Sequence, residues 1–120
     1  MRRKVNIEFS IDQDGKDVVL VPLSNVQKVV LYETDLDLLM ELGCTPRFSS
    51  HLGIVKFRPL RGFDISIARL LLDAGNKQKV LYLNNNKLDL RRTNLVLAKG
   101  RGTRNERKEL LRYLRHTGNK

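Results

Sequence analysis

The stretch VLYLNNNKLDLRRTNLVLA, Val80 to Ala98, decides how this chain is read. Val80 to Leu83 is an apolar run of strand length. Asn84-Asn85-Asn86 follows, and asparagine tolerates the left-handed backbone that tight turns require. Turn geometry accounts for at least two of the three better than base contact does. Leu88-Asp89, the pair Arg91-Arg92 and Thr93-Asn94-Leu95 then predict a short helix around Arg91 to Leu95, with Asp89 as its cap. The reading is strand, turn, helix.

Outward from this segment, short strands alternate with short helices. Val5, Ile7 and Phe9 alternate with polar residues as in a half-buried strand, and Asp12 to Gly15 marks a turn. Val18 to Leu23 and Val26 to Tyr32, separated by Ser24-Asn25, predict a hairpin. Thr34 with Asp37 forms a weak capping box before the helical spacing of Leu36, Leu38, Leu39 and Leu42, which Gly43 stops. Phe48 to Ser50 and Ile54 to Phe57 flank Leu52-Gly53 as a second hairpin, ended by Pro59 and Gly62. A core helix is expected from about Ile65 to Ala74, with Asp64 as N-cap and Gly75 as terminator. Arg69 at its middle either meets a phosphate or snorkels to the surface.

The end of the chain reads as a separate basic helix. Thr103 and Glu106 fit a capping box; Leu110, Leu111 and Leu114 form a narrow apolar stripe; Gly118 closes it. Arg104, Arg107, Lys108, Arg112 and Arg115 occupy much of the remaining surface. Such a helix suits a phosphate backbone through its arginines, or docks through its leucines. The expected organisation is therefore an α+β domain over residues 1–102 and a basic helical tail over 103–120.

Composition bounds the function. At 120 residues with 41% hydrophobic content, the chain fits one domain with a modest core. No apolar run approaches the roughly 18–20 residues of a membrane span, and no signal peptide is visible. Cys44 is the single cysteine and His51 and His116 the two histidines, so neither an internal disulfide nor a zinc set is expected. Both histidines read as surface residues. Charge is uneven: residues 1–86 hold 12 Lys/Arg and 10 Asp/Glu, net +2, whereas residues 87–120 hold 11 and 3, net +8. A concentrated basic surface attracts polyanions, because neutralised phosphates release condensed counterions. Acidic protein surfaces and ribosomal RNA fit the same charge.

The Val80–Ala98 segment resembles the motif of phage and intron-homing HNH endonucleases, roughly V-D-H-I-N-G-N-x-L-D-N-R-R-S-N-L. The resemblance extends upstream. Val29 to Asp35 with Leu38-Leu39 and Gly43 is similar to the family's early strand and helix, and Ile67 to Leu72 to a later helix in which Ala68 replaces a histidine. It covers about residues 18–107. In that family a histidine activates water, and a divalent ion stabilises the leaving oxygen. Here Leu81 stands at a metal-ligand position and Tyr82 at that of the base. Asn94 matches the family's helix asparagine, and here capping or bracing is its expected role. Positions 81 and 82 are expected to face Asn94.

The resemblance implies short antiparallel strands and hairpins followed by a degenerate ββα-metal motif and the basic helix. An unperturbed tyrosine titrates near pH 10, so Tyr82 is no neutral-pH base, and Leu81 offers a metal nothing. Losing the base costs roughly 100- to 10,000-fold and losing the metal several kcal/mol, which leaves little of a nuclease. The expectation is a non-catalytic, cofactor-free nucleic-acid-binding protein, DNA before structured RNA. It would be intracellular, in a phage, mobile-element or host-adapted setting. Lys87, Arg91, Arg92, Lys99, Arg101 and the tail arginines are the expected phosphate contacts. Two alternatives stay open: a structural or regulatory component that binds a protein or a ribonucleoprotein such as the ribosome, and a nuclease with an unusual active site.

Overall fold

Valines and leucines at alternate positions build the first layer of the fold. In the computed structural model, which describes residues 6–23, 26–58, 64–101 and 105–117 (backbone alone at 109 and 113–117), β2 (Asp17–Pro22) pairs antiparallel with β3 (Lys28–Tyr32). The register sets Val19 opposite Leu31 and Val21 opposite Val29, and all four are fully buried. The expected hairpin is present. β1 (Glu8–Ile11) adds to the free side of β2, giving the order β1-β2-β3. Of the residues expected to face the core, Ile7 is partly buried against it, Phe9 is 68% exposed and Val5 lies outside the described residues. An edge strand gains its ladder bonds from one neighbour without covering its side chains.

The helix α1 (Glu33–Glu41) follows β3 directly and buries Leu36 and Leu39. Tyr32 occupies the N-cap, so Thr34 lies inside the first turn and no capping box forms. Gly43, at φ 93°, takes the left-handed conformation after the helix, and the Cys44 N–H reaches back to the Leu39 carbonyl at 2.8 Å. Burial pushes the Cys44 thiol up to about 12, so it stays protonated.

β4 (Phe48–His51) and β5 (Ile54–Phe57) form the second expected hairpin. Leu52 and Gly53 both sit at positive φ, as the two-residue turn between twisted strands requires. Pro59 and Gly62, its expected end, lie outside the described residues. The next element corrects the expected helix. Ile65–Ser66 is a third strand, β6, paired with β5, so α2 begins only at Ile67 and ends at Leu72. Ser66 is its cap, accepting from the Arg69 N–H, and Asp73 terminates it at φ 51°, ahead of Gly75. Asp64 instead binds Arg58 at 2.8 Å.

Residues 78–99 form a hairpin rather than a strand followed by a helix. β7 (Gln78–Tyr82) pairs antiparallel with β8 (Leu95–Lys99), and only Arg92–Asn94 between them is helical, as one 3-10 turn. The loop between them crosses to the first sheet. The Val30 N–H donates to the Leu88 carbonyl and the Leu90 N–H to the Val30 carbonyl, at 2.9 and 2.7 Å. Leu90 is fully buried.

α3 (Glu106–Thr117) packs against α2 and β6. Its cap is Asn105, whose Oδ1 accepts from the Lys108 N–H at 2.9 Å. Thr103, the expected cap, and Gly118, the expected terminator, lie outside the described residues, and Glu106 serves an ion pair rather than a capping box. Leu110 is 2% exposed and joins the same apolar cluster as Val19, Leu39, Phe57, Leu71 and Leu95. The division at residue 102 therefore does not divide the core. The class is α+β, three small antiparallel sheets with short helices. Among the described residues no helix is long and apolar enough to cross a membrane.

Candidate nucleic-acid interface

The hairpin and its loop are locked by a polar network centred on Asp89, which is 6% exposed. Its Oδ1 accepts from Arg91 Nε at 2.9 Å and its Oδ2 from Arg91 Nη2 at 2.8 Å, the bidentate pairing that suits a guanidinium. Asn84 Nδ2 donates to the same carboxylate at 3.0 Å. Arg91 Nη1 reaches Asp12 at 3.1 Å and Gln13 at 3.3 Å, tying the loop to the β1–β2 turn. Burial alone would raise the Asp89 carboxyl, but its hydrogen bonds from Arg91 outweigh this and hold it below the ordinary range. Asp89 thus organises the loop; the 3-10 turn has no side-chain cap.

Asn94 braces the two ends of the loop. Its Oδ1 accepts from the Asn84 N–H at 2.8 Å, and its Nδ2 donates to the Asp89 carbonyl at 2.9 Å. Asn85, at φ 61°, supplies the left-handed turn residue, and the Asn84 and Asn86 side chains accept backbone N–H groups two residues on. The asparagines therefore serve turn geometry.

Leu81 and Tyr82 do not both face Asn94. Successive strand residues point to opposite faces: Leu81, opposite Val96, is 42% exposed, whereas Tyr82, opposite Leu95, is half-buried against the core. Burial raises the Tyr82 phenol above its ordinary value, so it stays protonated near neutral pH. Among the described residues no cluster of three or more His, Cys, Asp or Glu is placed to hold a metal ion. His51 is exposed at the end of β4, and the side chain of His116 lies outside the described residues.

The cations sort into two groups. Arg69, Arg91 and Arg107 are held by the fold. Arg69 is neither snorkelled nor free: it pairs with Glu106, which is 2% exposed, and donates to the Gln78 and Gly75 carbonyls. Arg107 donates to the Leu70 and Leu71 carbonyls at 2.9 and 3.1 Å, capping the end of α2. Arg92 holds Asp35 through Nε while its side chain stays 42% exposed. By contrast, Lys77, Lys79, Lys87, Lys99 and Arg101 make no side-chain hydrogen bond or ion pair among the described residues, and each is exposed. Lys108 and Arg112 are exposed on α3. Arg104 and the side chain of Arg115 lie outside the described residues.

A cleft of about 530 Å³ opens between the second sheet and the hairpin. Ile54, Lys56 and Ser66 of the second sheet and Val80 and Tyr82 of the hairpin line it, with Asp64, Arg101, the Arg69–Glu106 pair and the strand at Lys79. Lys56 faces this space because it alternates with the buried Val55 and Phe57. That alternation was readable in the sequence, but which sheet Lys56 would oppose was not. Comparison with protein-family models, with curated proteins and with solved structures finds no match for this chain.

Proposed function

We propose that this chain binds nucleic acid, duplex DNA before structured RNA, without cleaving it. One observation carries the reading. Residues 77–101 hold seven Lys/Arg and one acid, net +6. The one acid, Asp89, is used by Arg91, and Arg92 holds Asp35, which leaves five side-chain cations of this segment without a fold partner among the described residues. Cations that stabilise nothing in the fold are available to phosphates, whose binding releases counterions. The order of β7, the Asn turn and the short Arg92–Asn94 turn keeps part of the HNH-like segment, although β8 stands after it in place of further helix, and an exposed leucine and a protonated phenol at positions 81 and 82 support loss of its chemistry.

A second reading, docking onto a protein or a ribonucleoprotein, is favoured by the outer face of the hairpin, where Leu81, Leu83 and Val96 are 42%, 64% and 40% exposed. Salt-titrated binding to duplex DNA, structured RNA and an acidic protein separates the two. Nucleic-acid binding requires a log–log salt slope that falls by about 0.9 for each duplex phosphate no longer neutralised, so Lys77→Gln, Lys87→Gln and Lys99→Gln together flatten it. Unchanged binding in that variant, with loss in Leu81→Ser/Val96→Ser, overturns the reading in favour of protein docking.

A further inference from the structure

The cleft between the second sheet and the hairpin is not explained by backbone tracking, and its walls are chemically unlike. We propose that it receives one unpaired nucleotide of a bound nucleic acid, its phosphate on Lys56 and Arg101 and its base against Ile54, Val80 and Tyr82. This rests on the nucleic-acid reading above and specifies what form of nucleic acid is preferred.

The charge of the cleft suits an anion. Lys56 and Arg101 come from different elements and make no ion pair among the described residues, although the Lys56 charge also acts on Asp64. Both acids of the lining are already used, Asp64 by Arg58 and Glu106 by Arg69. The apolar wall requires more than a bare phosphate. Ile54, Val80 and the Tyr82 ring offer a surface that an inorganic anion leaves exposed to water, whereas a base covers it by stacking and apolar contact. Tyr82 also keeps its proton, so its hydroxyl donates to a base edge or a phosphate oxygen. Size points the same way: about 530 Å³ lies within the roughly 300–1,000 Å³ of small-molecule sites. That takes one nucleotide and excludes a base-paired helix. A bulged, flapped or terminal nucleotide enters at little cost, because it is already unstacked.

Fluorescence anisotropy at fixed salt tests this with a blunt duplex, the same duplex carrying a one-nucleotide bulge, and free deoxyadenosine monophosphate as competitor. The bulged duplex is expected to bind at least about fivefold more tightly than the blunt one, the lower end for one stacked base. Tyr82→Ala is expected to abolish that difference and Tyr82→Phe to retain most of it. Lys56→Gln, at a partly exposed position, is expected to reduce it and decides the matter if Tyr82→Ala does not fold. Equal affinity for the two duplexes, or a preference that survives both Tyr82→Ala and Lys56→Gln, overturns the cleft assignment and leaves the nucleic-acid reading standing. A mononucleotide that binds as tightly as the bulged duplex overturns it in favour of a free nucleotide. Failure to bind any nucleic acid at low salt overturns both.

Discussion

Asn94 and Asp89 hold each other through the backbone: the Asn94 amide donates to the Asp89 carbonyl at 2.9 Å from a position only 6% exposed. With its oxygen on the Asn84 N–H, this one side chain satisfies both ends of the loop. Asn94→Ala leaves a part-buried donor, the Asn84 N–H, and a buried acceptor, the Asp89 carbonyl, unmet, the buried one worth about 1–3 kcal/mol. The expected loss is about 2–4 kcal/mol in urea unfolding. Asn94→Asp keeps the acceptor, loses the donor, and does not rescue; added manganese leaves the melting temperature of the wild type unchanged. Stabilisation by manganese that vanishes in Asn94→Ala contradicts the bracing role.

The Arg69–Glu106 pair fastens α3 to α2. Glu106→Ala leaves a mostly buried guanidinium without its acid, and breaking a buried pair costs about 3–5 kcal/mol. Because Arg69 keeps the Gln78 and Gly75 carbonyls, the lower end is expected. Arg69→Met with Glu106→Leu recovers part of the loss, and the unpaired carbonyls retain the rest. Chemical denaturation of the three variants checks the order.

Acid weakens the loop. The Asp89 carboxyl lies below its ordinary value because the Arg91 hydrogen bonds outweigh burial, and Asp12 is lowered first by the Lys16 backbone N–H. A folded value below the unfolded one means that protons favour the unfolded chain. The contribution is complete above the ordinary aspartate value, about pH 4, and is lost as pH falls through the depressed one. Stability measured against pH is expected to decline on the acid side, and Asp89→Asn to flatten that decline while lowering stability at neutral pH.

The C-terminal helix is not a detachable tail. Deleting residues 103–120 removes Glu106, the Arg107 cap and the buried Leu110, so the cooperative unfolding transition is expected to weaken or vanish. Lys108→Gln with Arg112→Gln touches only exposed positions and is expected to preserve the fold. Each duplex phosphate that this variant no longer neutralises lowers the salt slope by about 0.9. An unchanged slope places the helix outside the nucleic-acid interface.

What could be read from the sequence is what local chemistry determines. Leu52-Gly53, Gly43 and the asparagine run each mark a turn where it occurs, since left-handed backbone demands few residue types. Alternation exposed the strands on either side. Long-range pairing was not readable: Arg91 meets Asp12 across 79 residues and Arg69 meets Glu106 across 37. An arginine looks the same in sequence whether a distant acid or carbonyl claims it or not, so the engagement of Arg69, Arg91 and Arg107 within the fold was not legible. The boundary errors share a cause. Ile65-Ser66 and Leu95 to Lys99 have apolar patterns that suit helix or strand, and the neighbouring strand decided. Lys56, Arg101 and Tyr82 were visible as residues, yet the cleft needs two sheets facing each other.

The crossing of residues 88–90 over β3 has a consequence for growth of the first sheet. A strand edge is a template for another chain, and the Val30 amide and carbonyl are already taken by Leu88 and Leu90. Extension from that side is blocked. Among the described residues no strand lies beyond β1, where Phe9 and Ile11 stand exposed. Self-association of the folded chain, if provoked by concentration or loss of charge, would begin at residues 8–11, and a lysine at position 9 would be the first change to make for a better-behaved sample.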